Sequence, residues 1–258
     1  MHLLLIRHGE TEHNAERLGK ALAETRGLRF THIFASTLQR ARLTADSVQK
    51  HQARSLANDD SGSLHKVPQV VQSGLIIEHD FGSFELTTKW SALADGDPDT
   101  PGFRPRETAD AMKRRADRFI EDCLLPLVVS EGKSQAEEAV VAVLSHGMFL
   151  KQLWKSIWLR FRPGSVSFAP TDGSIPPPSS SSLGEIGRWS NTAYLECTIR
   201  RPRPSPGALV AKGERDFVLA INRSDHLHDL KRDGVGNSPY DVKQQSIKAF
   251  FSQQTQDL

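Results

Sequence analysis

Two histidines, each followed by glycine, stand where apolar runs of the sequence end. His8 closes the run LLLIRHGET, and His146 closes VVAVLSHGMF. Glycine after each histidine lets the backbone turn sharply and approach a ligand closely. A neutral imidazole can attack phosphorus, and its ordinary pKa leaves much of it neutral near pH 7. The two histidines are therefore candidates for a ligand site with nucleophilic chemistry.

Two arginines accompany the histidines. Arg7 directly precedes His8, and Arg40 falls in the first turn of a helix for which Ser36 is the predicted N-cap. Guanidinium groups hold several N–H donors in a plane and suit anions with several charged oxygens. Two arginines and two imidazoles in one pocket therefore predict a phosphate site. Phosphoryl transfer mainly requires in-line positioning and compensation of negative charge.

A carboxylate segment, LIIEHDFGSFE, could supply a proton donor. A carboxyl group beside bound phosphate faces a like charge, so its pKa should rise toward the range of a useful acid. The segment contains three carboxylates, Glu78, Asp80 and Glu85. The alternative is that Glu78 is a solvated loop carboxylate.

Strands and helices alternate around these residues. Apolar runs predict strands at 1–6, 31–35, 67–71, 139–144, 191–199 and 216–221, and helical spacing predicts helices at 15–25, from about 38 to 48, at 107–129 and from 147 to about 161. This alternation indicates an α/β fold, with an open, mostly parallel sheet and helices on both faces. The ligand site of such a sheet lies at the carboxyl ends of its strands.

The same pattern divides the chain into a domain and a tail. Residues 1–221 form the predicted domain, with polar loops at 52–66 and 92–106. Residues 162–188 are rich in Pro, Ser and Gly and are predicted to be a flexible insertion. Residues 222–258 are predicted to be a flexible, mostly disordered tail.

Composition excludes several classes of protein. The 258 residues carry a net charge of +2, which gives no case for direct nucleic-acid binding. The apolar runs are too short to span a membrane, and Arg7 interrupts the first of them too early for a signal peptide. Two cysteines cannot form a disulfide framework or a cysteine-based zinc site, and we expect both as reduced thiols. We expect a soluble, intracellular protein with no metal site.

Four segments occur in order: RHGET, STLQRARLTA, LIIEHDFGSFE and LSHG. In these motifs the chain resembles the histidine phosphatase superfamily, in the branch similar to phosphoglycerate mutases and fructose-2,6-bisphosphatases, over about its first 200 residues. The resemblance implies a phosphoglycerate mutase-like fold. It also implies hydrolysis of a small phosphorylated substrate through a phosphohistidine, with neither metal nor cofactor. A phosphoglycerate mutase is the less favoured alternative, because the tracts specific to glycolytic mutases are not evident.

The resemblance also implies a role for each site residue. His8 would be the nucleophile, and Glu78 would protonate the leaving group. Arg7, Arg40 and His146 would bind the phosphate and stabilise the charge of the transition state. Asn14 matches a residue that often neighbours the phosphate in relatives.

Two departures from the family pattern concern the pocket. RHGETEHN runs directly into AERLGKALAE, whereas relatives have a longer stretch there that helps to wall the substrate pocket. Its absence predicts a pocket without that wall and a displaced Asn14. Leu86 stands where relatives commonly have glycine. Two explanations are open: the stretch is missing because of a splice form or an incomplete gene model, or the domain has given up catalysis and acts as a binding module.

The C-terminal tail carries a separate motif. In QQSIKAFFSQ, Gln244, Ile247, Phe250 and Phe251 fit the pattern Q-x-x-[ILM]-x-x-[FY]-[FY]. This resembles the motif by which replication and repair proteins bind the sliding clamp PCNA, where a short helical turn presents an apolar plug. The alternative is that the turn packs back on the domain. With the basic clusters at 200–203 and 231–232, we expect the protein in the cytoplasm, the nucleus or both.

Overall fold

The computed structural model describes residues 1–58, 66–85, 101–130, 139–162, 165–168, 183–184, 186–187, 189–199 and 216–227. Residues 1–226 form one compact unit. In the described part of the chain the strands are β1 (His2–Arg7), β2 (His32–Ser36), β3 (Val70–Ser73), β4 (Val140–Ser145), β5 (Val166–Phe168), β6 (Tyr194–Thr198) and β7 (Asp216–Arg223).

Five α-helices connect or follow these strands within the same residues. They are α1 (Glu12–Gly19), α2 (Gln39–Ala57), α3 (Ala109–Phe119), α4 (Leu125–Ser130) and α5 (Gly147–Trp158). Wider π-helical turns, Lys20–Thr25 and Ile120–Leu124, continue α1 and α3. Single 3-10 turns occur at Gly74–Ile76, Gly82–Phe84 and Asp225–Leu227.

The seven strands form one sheet in the order β3-β2-β4-β1-β6-β7-β5. Neighbours among β3, β2, β4 and β1 pair in parallel, β6 runs antiparallel to both β1 and β7, and β5 is parallel to β7. The prediction of an open, mostly parallel sheet is confirmed. Because β1 and β4 are parallel neighbours, their carboxyl ends meet at one edge of the sheet.

Each face of the sheet carries its own buried cluster. Successive side chains of a strand point to opposite faces. Leu3 and Leu5 of β1 therefore pack with residues of α3 and α5, such as Phe119 and Phe149. Leu4 and Ile6 pack instead against α1 and α2, where Leu18 and Val48 are fully buried. This arrangement confirms helices on both faces.

The start of α2 differs from the prediction. The helix begins at Gln39 with Leu38 in the N-cap position, so the prediction that Ser36 is the N-cap is wrong. Ser36 is the last residue of β2, and its hydroxyl accepts a bond from the Leu38 N–H at 3.2 Å. The same hydroxyl forms a hydrogen bond with His146. This bond keeps Ser36 at the end of the strand rather than in the helix.

The helical segment 12–25 ends in a turn at a glycine. Gly27 comes directly after the C-cap residue Arg26 and has a φ of +64°, a left-handed conformation that favours glycine. The helix itself begins earlier than expected, at Glu12, because the Thr11 hydroxyl accepts a hydrogen bond from the Asn14 N–H at 3.2 Å and caps it.

Two predicted loops contain regular structure. The helix α2 extends to Ala57, and buried Gln52 bonds both backbone groups of Phe30, at 3.1 and 2.7 Å, so the loop predicted at 52–66 was wrong for its first six residues. Strand β5 lies within the predicted flexible insertion 162–188 and pairs with β7. Leu183 and Ile186 in that insertion are also buried. Strand β7 continues to Arg223, two residues beyond the predicted domain end.

Among the residues described, no helix is long and apolar enough to cross a membrane. Likewise, no group of three or more His, Cys, Asp or Glu side chains in the described part could hold a metal ion. Cys123 is partly buried, Cys197 is buried, and no disulfide joins them. Most of the loop predicted at 92–106 and all of the motif at 244–251 lie outside the described ranges.

Candidate active site

A cavity of about 780 Å³ opens at the edge where β1 and β4 end. Its lining consists of Arg7, His8, Arg40, Glu78, Gly147, Met148, Lys151, Gly187 and Trp189. The structure thus brings together four of the predicted site residues, and a fifth, His146, contacts two of them. Asn14 is not among the lining residues; it lies in the first turn of α1.

His8 follows β1 and is only 7% exposed. Its Nδ1 lies 2.9 Å from the carbonyl oxygen of Gly9, an atom that can only accept, so Nδ1 carries the proton. Nε2 is therefore the nitrogen with the lone pair, and it accepts a bond from Arg40 Nε at 3.0 Å. This tautomer gives His8 a nucleophilic nitrogen in a residue that lines the cavity.

His146 follows β4 and is fully buried beside His8, with 5.0 Å between the ring centroids. Its Nδ1 accepts a bond from Arg40 Nε at 3.2 Å, which leaves the proton on Nε2. That N–H donates to the Ser36 hydroxyl, 2.9 Å away. Arg40 Nε–H is thus shared between the two imidazoles.

Both imidazoles have strongly lowered pKa values. Burial lowers the pKa of His8 to about 4; the bond to Gly9 opposes this, and the charges of Arg40 and Arg7 add to it. Burial, followed by the charge of Arg40, lowers the pKa of His146 to about 3. Both rings are therefore neutral at pH 7 in the free protein, and His8 needs no deprotonation before it can attack.

The loop after β1 is tied to α2 at the base of the site. The Gly9 N–H donates to the Thr44 hydroxyl at 2.9 Å, and this hydroxyl donates to the carbonyl of Arg40 at 2.7 Å. A Cβ on Gly9 would lie 3.2 Å from the carbonyl oxygen of Thr11, so a larger residue would crowd the turn. The backbone of His8 and that of Arg40 are thus held close together.

Arg7 is held by two partners on the other side of the cavity. Its Nη1 donates to the carbonyl of Trp189 at 2.8 Å, and its Nη2 pairs with Glu10 at 3.0 Å. Arg40 contacts two neutral rings. The two guanidinium groups therefore supply positive charge where an anion would meet His8.

Glu78 reaches the cavity at the N-terminus of α5. Its Oε1 accepts from the Phe149 N–H at 3.1 Å, and its Oε2 accepts from the Met148 N–H at 3.4 Å. The neighbouring acids have other partners: Asp80 pairs with Arg104 at 2.6 Å, and Glu85 accepts from a backbone N–H. Of the three carboxylates considered in the sequence, Glu78 is the one that lines the cavity.

Sequence reasoning missed several residues of the wall, chiefly Lys151 and Trp189. Lys151 lies about one turn along α5 from Gly147, so its proximity to the site could have been expected from the LSHG motif and helical spacing. Trp189 follows the insertion predicted to be flexible, and no local pattern distinguished it.

Comparison with known proteins identifies the family of this chain. The histidine phosphatase superfamily (branch 1) matches residues 3–165, and the chain belongs to this family. It is 27% identical to a probable phosphatase of Schizosaccharomyces pombe, over 96% of this chain and 79% of that protein. It is 28% identical to the fructose-2,6-bisphosphatase TIGAR of Xenopus tropicalis, over 52% of this chain and 54% of that protein. The family resemblance of the four motifs is confirmed.

Solved structures show the same fold. A mycobacterial hydrolase aligns with a TM-score of 0.52 and 14% identity, over 88% of this chain and 94% of its own. Mycobacterial glucosyl-3-phosphoglycerate phosphatase in complex with inorganic phosphate aligns with a TM-score of 0.51 and 15% identity, over 87% of this chain and 98% of that chain. At this identity they establish the phosphoglycerate mutase-like α/β fold alone.

Proposed function

We propose that this histidine phosphatase family member is a metal-independent enzyme that hydrolyses phosphomonoesters through a phosphohistidine on His8. The observation that carries the proposal is the neutral His8 ring, whose unprotonated Nε2 meets the guanidinium of Arg40 in a cavity also lined by Arg7 and Glu78. The phosphatase names of its relatives support the coarser statement that the family member is a hydrolase.

In the first step, the phosphate oxygens of the substrate take the N–H donors of Arg7 and Arg40, which frees the lone pair of His8 Nε2. That lone pair attacks phosphorus, and the bond from phosphorus to the ester oxygen breaks. Glu78 acts in this proposal as the general acid and gives its proton to the departing oxygen. The products are an alcohol and phospho-His8.

In the second step, a water molecule attacks the phosphorus of phospho-His8. The Glu78 carboxylate takes a proton from the water, and the bond between phosphorus and Nε2 breaks. Inorganic phosphate leaves, and both side chains return to their initial states. His146 stays beside His8, and its Nδ1, which accepts from Arg40 Nε at 3.2 Å, helps to hold that guanidinium against the phosphoryl group.

The substrate we propose is a small phosphorylated metabolite. One relative is named for a phosphorylated sugar, a fructose bisphosphate. The cavity of about 780 Å³ has room for more than a phosphoryl group. The sequence predicts a pocket that lacks the wall built after RHGET in relatives. Such a pocket would retain a bisphosphorylated intermediate poorly, which favours phosphatase over mutase chemistry.

Hydrolysis of an aryl phosphate, with chelator and no added metal, tests the proposal between pH 5 and 7.5. We expect His8→Ala to lower turnover by at least about a thousandfold, because the nucleophile is lost. His13→Ala removes an exposed histidine of the same segment and should leave turnover unchanged. Retained turnover in His8→Ala would contradict the proposal. Negligible turnover in a folded wild-type protein would favour the alternative of an impaired binding module.

We also propose that residues 244–251 bind the sliding clamp PCNA, which would bring the protein to the nucleus. The four motif positions Gln244, Ile247, Phe250 and Phe251 support this. Titration of PCNA with the full chain should show binding that disappears in the double variant Phe250→Ala/Phe251→Ala, since the apolar plug is then removed. No binding at high micromolar concentration of the wild-type chain would overturn it.

A further inference from the structure

Arg115, in the middle of α3, makes a half-buried fork with Glu107. Its Nε and Nη2 donate to the two carboxylate oxygens of Glu107 at 2.6 and 2.7 Å. Burial opposes ionisation of this carboxyl, but the hydrogen bonds and charge of Arg115 outweigh it and lower the pKa of Glu107. Both side chains are less than a fifth exposed, so the guanidinium is fixed in one orientation.

The third nitrogen of Arg115 binds the chain just before Glu78. Its Nη1 donates to the carbonyl of Leu75 at 2.7 Å and to that of Ile77 at 3.3 Å. These two acceptors belong to the segment that leads into the proposed proton donor. The planar group thus connects α3 to the backbone directly preceding Glu78.

The same guanidinium also lies over the ring of Phe149, 4.9 Å from its centroid. Phe149 is fully buried, and its N–H is the donor that holds Glu78 Oε1. Arg115 therefore contacts both segments that determine where the Glu78 carboxyl lies. It is not itself among the residues that line the cavity.

We propose that Arg115 is a positioning residue for the proton donor: through the backbone of residues 75–77 and the ring of Phe149 it aligns Glu78 with the leaving oxygen. This inference rests on the proposed function. An Arg115 variant should keep phosphate binding and the attack by His8, because the residues for both belong to other elements, but it should transfer the proton poorly.

Leaving-group dependence separates this role from a merely structural one. A nitrophenolate departs with little help from a proton, whereas an alkoxide must be protonated as it leaves. The second-order constant kcat/KM reports phosphorylation of His8, so it is the quantity to compare. For Arg115→Ala and Arg115→Lys, we expect kcat/KM for an alkyl phosphate to fall about 10- to 100-fold, in line with the cost of small misplacements.

For p-nitrophenyl phosphate, the same variants should lose less than about threefold, since its departure needs little acid catalysis. Glu78→Gln should show the same difference between the two substrates. Arg118→Ala is the matched control, because Arg118 lies on the same helix in an exposed pair with Asp122. It should change neither rate.

Equal losses for both substrates, or no loss for the alkyl phosphate, would overturn the inference. Arg115→Lys keeps the positive charge and decides the matter if Arg115→Ala does not fold; failure of both to fold would also overturn it, since Arg115 would then be required by the fold itself. If Glu78→Gln shows no leaving-group dependence, or His8→Ala keeps turnover, the proposed function fails instead.

Discussion

At the scale of single residues, the site is a pair of neutral imidazoles that share one guanidinium N–H. Arg40 Nε lies 3.0 Å from His8 Nε2 and 3.2 Å from His146 Nδ1. In the free protein this donor occupies the lone pair of His8 Nε2, the proposed nucleophile. A phosphate dianion is a stronger acceptor for Arg40 than a neutral ring, so we expect substrate binding to release that lone pair.

Ser36 fixes the tautomer of His146 and should contribute to the rate. Ser36→Ala removes the acceptor of the His146 Nε2–H, a hydrogen bond worth about 1 kcal/mol, so we expect kcat to fall roughly five- to tenfold. Steady-state kinetics with an aryl phosphate measure this. Thr37→Ala changes the exposed neighbouring residue and should leave kcat unchanged. An unaltered kcat in Ser36→Ala, with the fold retained, would show that this bond has no part in turnover.

Motifs predicted that the central residues lie together, because each stands at the end of a strand or the start of a helix. His8 and His146 follow apolar runs, and Arg40 lies in the first turn of a helix. The prediction that Ser36 is an N-cap was wrong. A serine just before a helix has the local features of an N-cap, but in the fold its hydroxyl contacts His146, which is distant in the sequence. Lys151 and Trp189 were missed since their proximity to His8 is created by tertiary packing.

At the scale of elements, the segment from β3 to α3 carries Glu78 and is fixed by its own contacts. Gly82 has a φ of +57°, and its N–H donates to Asp80 at 2.7 Å. The next residue, Ser83, donates its N–H to the Arg104 carbonyl at 2.9 Å. This carbonyl lies so close to Gly82 that any Cβ there would collide with it.

Gly82→Ala should therefore destabilise the protein and disturb the Glu78 segment. The left-handed backbone alone costs an alanine about 1–2 kcal/mol, and the collision adds to this. Gly102 has a φ of +81° and open space around it, so Gly102→Ala should lose only the stability that the left-handed backbone costs. Gly74 also has open space, and Gly74→Ala should lose little stability. Urea denaturation of the three variants measures their order of stability. Equal stability of Gly82→Ala and Gly74→Ala would contradict it.

Local pattern predicted the strands and helices of the site but not where all of them end. Runs such as 139–144 are apolar throughout and identify a buried strand without ambiguity. Strand β5 has only three residues inside a segment rich in Pro and Ser, and it exists because it pairs with β7. The last turns of α2 were read as a loop because their polar side chains, Gln52 among them, bond to buried backbone rather than to water.

At the scale of the whole molecule, burial of histidines couples stability to pH. Burial lowers the pKa of His226 to about 4, and the charge of Arg17 adds to this effect. Burial also lowers the pKa of His8 to about 4 and that of His146 to about 3. In the unfolded chain these rings titrate near 6.5. As the pH falls from 6.5 toward 4, the unfolded state takes up protons that the folded state does not.

The free energy of unfolding should therefore be highest above pH 6.5 and fall between pH 6.5 and 4. Each fully affected histidine contributes a slope of up to about 1.4 kcal/mol per pH unit in that window. Urea denaturation at half-unit steps measures the slope. His226→Gln should have a shallower slope than the wild type, because one of the three rings is gone. A free energy that stays constant or rises as the pH falls through this window would contradict the account.

The central claim is that His8 carries the phosphoryl group during turnover. Its most direct test is to stop the reaction with alkali during turnover, since phosphohistidine is hydrolysed by acid, and to map the phosphorylated peptide by mass spectrometry. We predict one phosphoryl group on the peptide that contains His8, in the wild type and His13→Ala and not in His8→Ala. Steady turnover with no phosphorylated protein, or with the group on another residue, would contradict the account.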